Sequence, residues 1–325
     1  MSTISSQRFA DTVLSDLVGN VQSFGDTVRT FLQRTGDTEI LVPDMKLDFM
    51  SIDEPVPMEF FDKLGIRRLI LNAFPGRRAI TDHFLFEYNR ARTGSPHWDD
   101  IKNEVLIEEL EALFASCIVI QFTDWADKNT ASDFWTGLLY DVIKPLPKKD
   151  FHFIFYLGDP TKRLVFETDE ILDIVSEYAT CGKVTTILYD NEADKLWEIL
   201  NGWKVDAHQC AHDPKEAEDR YLSIYKALQV DTLVILSGTH AWLISNGGQF
   251  EFRINGSGKC SRDHFDAGYQ LGLLLRLDAP QCVALALAIS GAADESAPSP
   301  KALLHYIRAW IAELKTNEIP FNIGH

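Results

Sequence analysis

Apolar positions along the chain switch repeatedly between two spacings. Phe9, Val13, Leu14, Leu17 and Val18 recur at helical spacing, as do Val28, Phe31 and Leu32, so residues 1–35 read as helical. Residues 38–42 and 45–49 then read as short β-like runs broken by Pro43. Residues 58–64 read as a helix ending at Gly65, and residues 68–71 as a strand. From there alternation sets in. Residues 101–114, 132–142, 168–179, 193–200 and 215–228 show helical periodicity. Between them stand apolar runs at 117–122, 151–156, 184–188 and 232–236, the length and composition of buried strands. Trp242-Leu243-Ile244 and Gln249-Phe250-Glu251-Phe252 flank Asn246-Gly247-Gly248, a hairpin signal. Residues 264–277, 279–291 and 299–314 are helical again.

Strands of five or six residues separated by helices of 10–15 predict βαβ units and a mostly parallel sheet flanked by helices. Such sheets bind ligands at the carboxyl ends of their strands. The predicted organisation is a helical segment over 1–37, one α/β domain over 38–314 and a tail over 315–325. A small β lid or dimer clasp is expected within 38–90.

Composition narrows the function. The chain has 325 residues, 46% hydrophobic and 24% charged, with a net charge of −17. That balance argues against a nucleic-acid partner, whose phosphates are held by clustered Lys and Arg. It argues equally against an anionic membrane surface. The five cysteines are odd in number and widely spaced, so neither a disulfide framework nor a zinc ribbon is indicated. The N-terminus has no signal-peptide pattern and no apolar run reaches membrane-span length, so a cytoplasmic setting is expected.

The chemistry concentrates near residue 260. A strand over 250–254, the stretch Asn255-Gly256-Ser257-Gly258-Lys259 and a following helix place backbone N–H groups at a helix N-terminus, where an anion is favoured. An Asp at that helix start, Asp263, can deprotonate a hydroxyl that attacks a phosphoryl group. Lys259 adds a mobile positive charge. The plainer alternative is a first-turn acid after a glycine turn.

The string Arg262-Asp263-His264-Phe265-Asp266-Ala267-Gly268-Tyr269, followed by Gly272-Leu273-Leu274, resembles the Gly-Ala-Gly-Asp signature of the ribokinase/PfkB carbohydrate kinase family. Other strings fall in the order that resemblance implies. They are Pro75-Gly76-Arg77, Phe84-Leu85-Phe86-Glu87, Thr123-Asp124-Trp125, Leu157-Gly158-Asp159-Pro160 with Lys162-Arg163, and Asn191-Glu192-Ala193. The resemblance covers roughly residues 38–314. It implies a ribokinase-like fold, with Asp263 as catalytic base and Gly256, Gly258, Lys259 and Arg262 around the phosphates of Mg-ATP. It implies Glu192 as an indirect, water-mediated Mg²⁺ ligand and Asp53 beside a sugar or nucleoside; the seven tryptophans read most simply as packing residues, with Trp125, placed after a strand end, the one expected to border the ligand cleft. A homodimer through the lid is the expected assembly.

Four departures from the family pattern are equally legible. The signature's Gly-Ala-Gly falls on Cys260-Ser261-Arg262, and side chains there strain the loop or fill the anion hole. Tyr189 stands where the metal motif has Asn. The sugar motif's Gly-Gly-Asn lands on Ser51-Ile52-Asp53. Residues 1–37 offer no opening strand with a sugar-gripping Asp. One anion-hole donor alone is worth about 2.7–4 kcal/mol, so four such losses point to weak or absent phosphotransfer and a binding or regulatory role. An active carbohydrate or nucleoside kinase using Asp263, and a partner-binding scaffold, are the alternatives. His208-x-Cys210-x-His212 is a poor zinc pattern. Cys260 reads either as a redox-sensitive thiol or as a small buried residue.

Overall fold

The computed structural model describes residues 45–49, 68–71, 97–123, 125–127, 129–147, 150–202, 214–238, 240–253, 262–274 and 277–292. The chain divides into two compact units, each described by itself. One comprises Asp44–Glu54 with Arg68–Ile235, and the other Met1–Pro43, Pro55–Arg67 and Leu236–His325.

The first unit is built on strands β1 (Met45–Phe49), β2 (Arg68–Leu71), β3 (Cys117–Phe122), β4 (Phe151–Phe155), β5 (Gly182–Tyr189) and β6 (Thr232–Leu236, its last residue at the boundary), in the order β2-β1-β3-β4-β5-β6. The pairs β1–β2, β1–β3, β3–β4 and β4–β5 are all parallel. Parallel neighbours need crossovers, which the intervening helices supply. These are α1 (Trp98–Ile101), α2 (Glu104–Ser116), α3 (Ala131–Gly137), α4 (Val165–Tyr178), α5 (Asp190–Asn201) and α6 (Pro214–Leu228). The expected α/β class, with a mostly parallel sheet flanked by helices, is thus what the chain adopts.

β1 is an interior strand, between β2 and β3. Both described strands inside 38–90 therefore belong to the main sheet rather than to a lid. The rest of that stretch, and the helical pattern over 1–35, lie outside the described residues. So does the helix read over 299–314.

Buried runs explain the sheet. β6 is buried at all five positions, as is β4 at four of five, which both-face coverage by helices requires. One face is aromatic. Phe122 stacks on Phe155 with centroids 4.8 Å apart, and Trp135 and Tyr178 pack edgewise or tilted on the same rings. Tyr178 donates its hydroxyl to the Trp135 carbonyl at 2.7 Å, and burial pushes its phenol well above the ordinary value.

The stretch read as one helix over 132–142 is two. α3 passes at Leu138 into a single π-helical stretch, Leu138–Ile143. Trp98 is laid against the junction. Its indole N–H donates to Asp141 at 2.6 Å, its backbone N–H to Asp133 at 2.6 Å, and its ring meets Phe134 edge-on.

In the second unit, β7 (His240–Ser245) and β8 (Gly248–Arg253) form the predicted antiparallel hairpin across Asn246-Gly247. Helices α7 (Arg262–Leu274) and α8 (Ala279–Ala292) follow. Their close approach depends on Gly272, where a Cβ would lie 2.7 Å from the Cys282 sulfur.

Candidate functional site

The order β2-β1-β3-β4-β5 reverses direction at β1. The chain runs outward from β1 to β2, then returns to β3 on the other side. In open α/β sheets such a switch in strand order marks the usual ligand position, at the carboxyl ends of the strands on either side, here β1 and β3. Two residues singled out from sequence follow these strand ends. Asp53 comes four positions after β1 and itself lies outside the described residues. Trp125 comes three positions after β3, in the 3₁₀ turn Trp125–Asp127.

Trp125 is fully buried. Its indole N–H donates to the Ser132 hydroxyl at 2.8 Å, and the Arg163 guanidinium lies over its ring at 5.2 Å. Arg163 also donates to the Trp125 carbonyl, to Asn129 and to Glu167. The β3 and β4 loops are thereby fixed to one another, with Ala126 N–H donating to the Leu157 carbonyl at 2.9 Å.

The β4 loop carries the Asp-Pro string. Gly158 sits at φ +75°, a left-handed conformation that glycine tolerates, and a Cβ there would press on Ala126 at 3.3 Å. It turns the chain into Asp159, which accepts from the Thr161 backbone and hydroxyl. Lys195 of α5 closes on the other Asp159 oxygen at 2.6 Å. Burial alone would raise the Asp159 carboxyl. The hydrogen bonds from Lys195 and Thr161 outweigh it and hold the group below the ordinary carboxylate range. Lys162 pairs in turn with Asp127 at 2.5 Å.

Glu192 lies at the third position of α5, 8% exposed. It accepts from the Tyr189 N–H at 2.9 Å, capping the helix. One Glu192 oxygen is thus engaged in the cap, and a Mg²⁺ ion there would need further oxygen ligands such as waters or phosphate oxygens. Among the described residues no cluster of three or more His, Cys, Asp or Glu could hold a metal ion.

Arg262 and Asp263 are the first two residues of α7, in the second unit. Gly256, Gly258 and Lys259 lie outside the described residues, as do Cys260, His208, Cys210 and His212. Sequence reasoning gave no role to Asp127, Asp159, Lys162, Arg163 and Lys195. The signal was available: each stands in the loop that follows a strand or in the first two turns of the next helix. No described helix is long and apolar enough to cross a membrane.

No family model matches the chain, and no curated protein matches it. Solved structures do. A PfkB protein from Polaromonas sp. JS666 is 16% identical over 80% of this chain and 98% of its own, with a TM-score of 0.49. The apo form of a putative ribokinase II from E. coli is 13% identical over 82% and 99%, also at 0.49. A fructokinase from Xylella fastidiosa with bound ATP is 11% identical over 83% and 84%, at 0.45. The chain's neighbours among solved structures are thus carbohydrate kinases of the PfkB/ribokinase family, at low identity.

Proposed function

We propose that the chain is a diverged ribokinase-like homologue in which phosphotransfer is weak or absent. Its role is to bind a small sugar- or nucleoside-like ligand, or to regulate through it. The observation that carries this reading is the internal neutralisation at the carboxyl edge of the sheet. Lys162 is paired with Asp127, Lys195 with Asp159 and Arg163 with Glu167. A cation already held by a carboxylate at hydrogen-bond distance adds little to the grip on a triphosphate, because binding must first break that pair. Glu192 is likewise engaged in a helix cap. The replaced glycines at 260–262 point the same way.

The experiment is thermal unfolding with ATP, ADP and AMP, each with and without Mg²⁺, beside Asp263→Asn. A ligand at 100 times its Kd adds about 2.7 kcal/mol, well above detection. The expected result is no Mg²⁺-dependent nucleotide shift, alongside stabilisation by a sugar or nucleoside. Phosphorylation of any sugar that disappears in Asp263→Asn overturns the reading. It would favour the second one, an active kinase with Asp263 as base and Mg-ATP held by Gly256, Gly258, Lys259 and Arg262. That alternative draws support from the position of Asp263 in the first turn of a 13-residue helix, where the dipole favours an anion.

A further inference from the structure

Three consecutive large apolar side chains stand in water at the start of α4. Leu164 is 61% exposed, Val165 59% and Phe166 65%. Single exposed apolar residues are ordinary, but a contiguous run marks a contact surface. The run is rigidly presented. The Leu164 N–H donates to Glu167 at 2.8 Å, and Arg163, its side chain 5% exposed, anchors the preceding residue to Glu167 and to the Trp125 carbonyl. Ordering the patch therefore costs a partner little.

The surroundings specify that partner. Beyond the patch, α4 carries Glu167, Asp169, Glu170, Asp173 and Glu177 and no basic residue. Asp169, Glu170 and Asp173 are exposed. Among the described residues, the cations that precede the patch in sequence, Lys162 and Arg163, are paired with Asp127 and Glu167, and Lys144 is paired with Glu177. The patch thus has an acidic flank on a chain of net charge −17. Three side chains cover well under the about 800 Å² per partner of a standard interface. A second copy would also bring its own acidic flank against this one. We propose that Leu164, Val165 and Phe166 form the apolar anchor of a docking surface for a basic amphipathic helical segment of another protein. Its apolar stripe would seat on the patch and its Lys and Arg along α4. Arg163 and Glu167 also stand at the candidate site, but the exposed patch needs no bound nucleotide, so neither loss nor survival of phosphotransfer bears on it.

The test uses two fluorescent 18-residue helical peptides of one pattern, one Leu/Lys and one Leu/Glu, titrated with the full chain at 50 mM and 300 mM salt. The expected result is saturable binding of the Leu/Lys peptide alone, weakened at least tenfold by Phe166→Ser and separately by Asp169→Lys with Glu170→Lys. Val165→Ser, with the fold of each variant checked by its melting curve, repeats the apolar arm. Leu/Lys binding that survives Phe166→Ser and Val165→Ser overturns the proposal, since it reports net charge only. So does a wild-type dimer in sedimentation that Phe166→Ser dissociates, because the patch would then serve a second copy. Absence of peptide binding overturns it as well.

Discussion

Replacing Gly137 by alanine places a new methyl inside the Trp98 indole. The Cβ would lie 2.1 Å from Cγ and 2.3 and 2.4 Å from the neighbouring ring carbons. These atoms form the base of the ring, so no small rotation clears them. The ring is also held at its far side, by the hydrogen bond to Asp141 and the edge contact with Phe134. Two effects then compete. Alanine in place of glycine favours the helix by about 0.8–1 kcal/mol. Overpacking costs about 1–3 kcal/mol if the ring shifts, and expelling a buried tryptophan costs about 3–5 kcal/mol. A 2.1 Å approach calls for the upper part of the overpacking range, about 2–3 kcal/mol, so the expected net loss is about 1–2 kcal/mol, or more if Trp98 leaves. Urea unfolding followed by tryptophan fluorescence reads this as a midpoint lowered by roughly 0.5–1 M. A double-mutant cycle isolates the cause. In a Trp98→Leu background the same alanine should be neutral or stabilising, giving a coupling above about 0.5 kcal/mol. A Gly137→Ala protein as stable as wild type, or an equal loss in both backgrounds, would refute the clash as the controlling term.

Two further outcomes are expected of the first unit. Thr186 is fully buried on β5, paired in register with Phe155, and its hydroxyl has no hydrogen-bond partner. Thr186→Val keeps the shape and removes the desolvated hydroxyl, so it should raise stability by about 1 kcal/mol; a lower urea midpoint would mean that the hydroxyl is satisfied. Asp159 titrates below its ordinary 3.8 in the folded state. Its contribution is therefore fully present above that value and is lost as pH falls from it toward the folded pKa. Lys195→Met should destabilise at neutral pH, and the gap from wild type should narrow in acid melts below about pH 4. A gap that does not depend on pH counts against the Lys195–Asp159 pair as its source.

The regular part of the fold was legible because its signals are local. The apolar run at 232–236 is β6 residue for residue, and Asn246-Gly247 closes the hairpin where its turn preference says it should. Other features depend on partners distant in sequence. Met45-Lys46-Leu47-Asp48-Phe49 alternates apolar and polar residues, as a half-exposed strand would. Only its pairing with β2 and β3 makes it interior. The passage from α to π geometry at Leu138 hardly alters apolar spacing over six residues. Apolar spacing predicts a start for α4 at Thr168, and the helix begins three residues earlier, at Val165. The run Leu164-Val165-Phe166 has no buried stripe, and the decisive signal is Glu167 accepting from the Leu164 N–H. At the site, the string Asp159-Pro160 was visible, but its closure by Lys195 joins two elements 36 residues apart.

The interior position of β1 also governs what a shortened chain would be. A protease cut just after Phe49 would remove the middle of the sheet, not an edge. β2 and β3 would each be left with a row of unpaired backbone N–H and C=O groups, and strand edges of that kind recruit other chains. Any internal start site or processing event that omits residues 45–49 is therefore expected to yield insoluble material rather than a smaller folded protein.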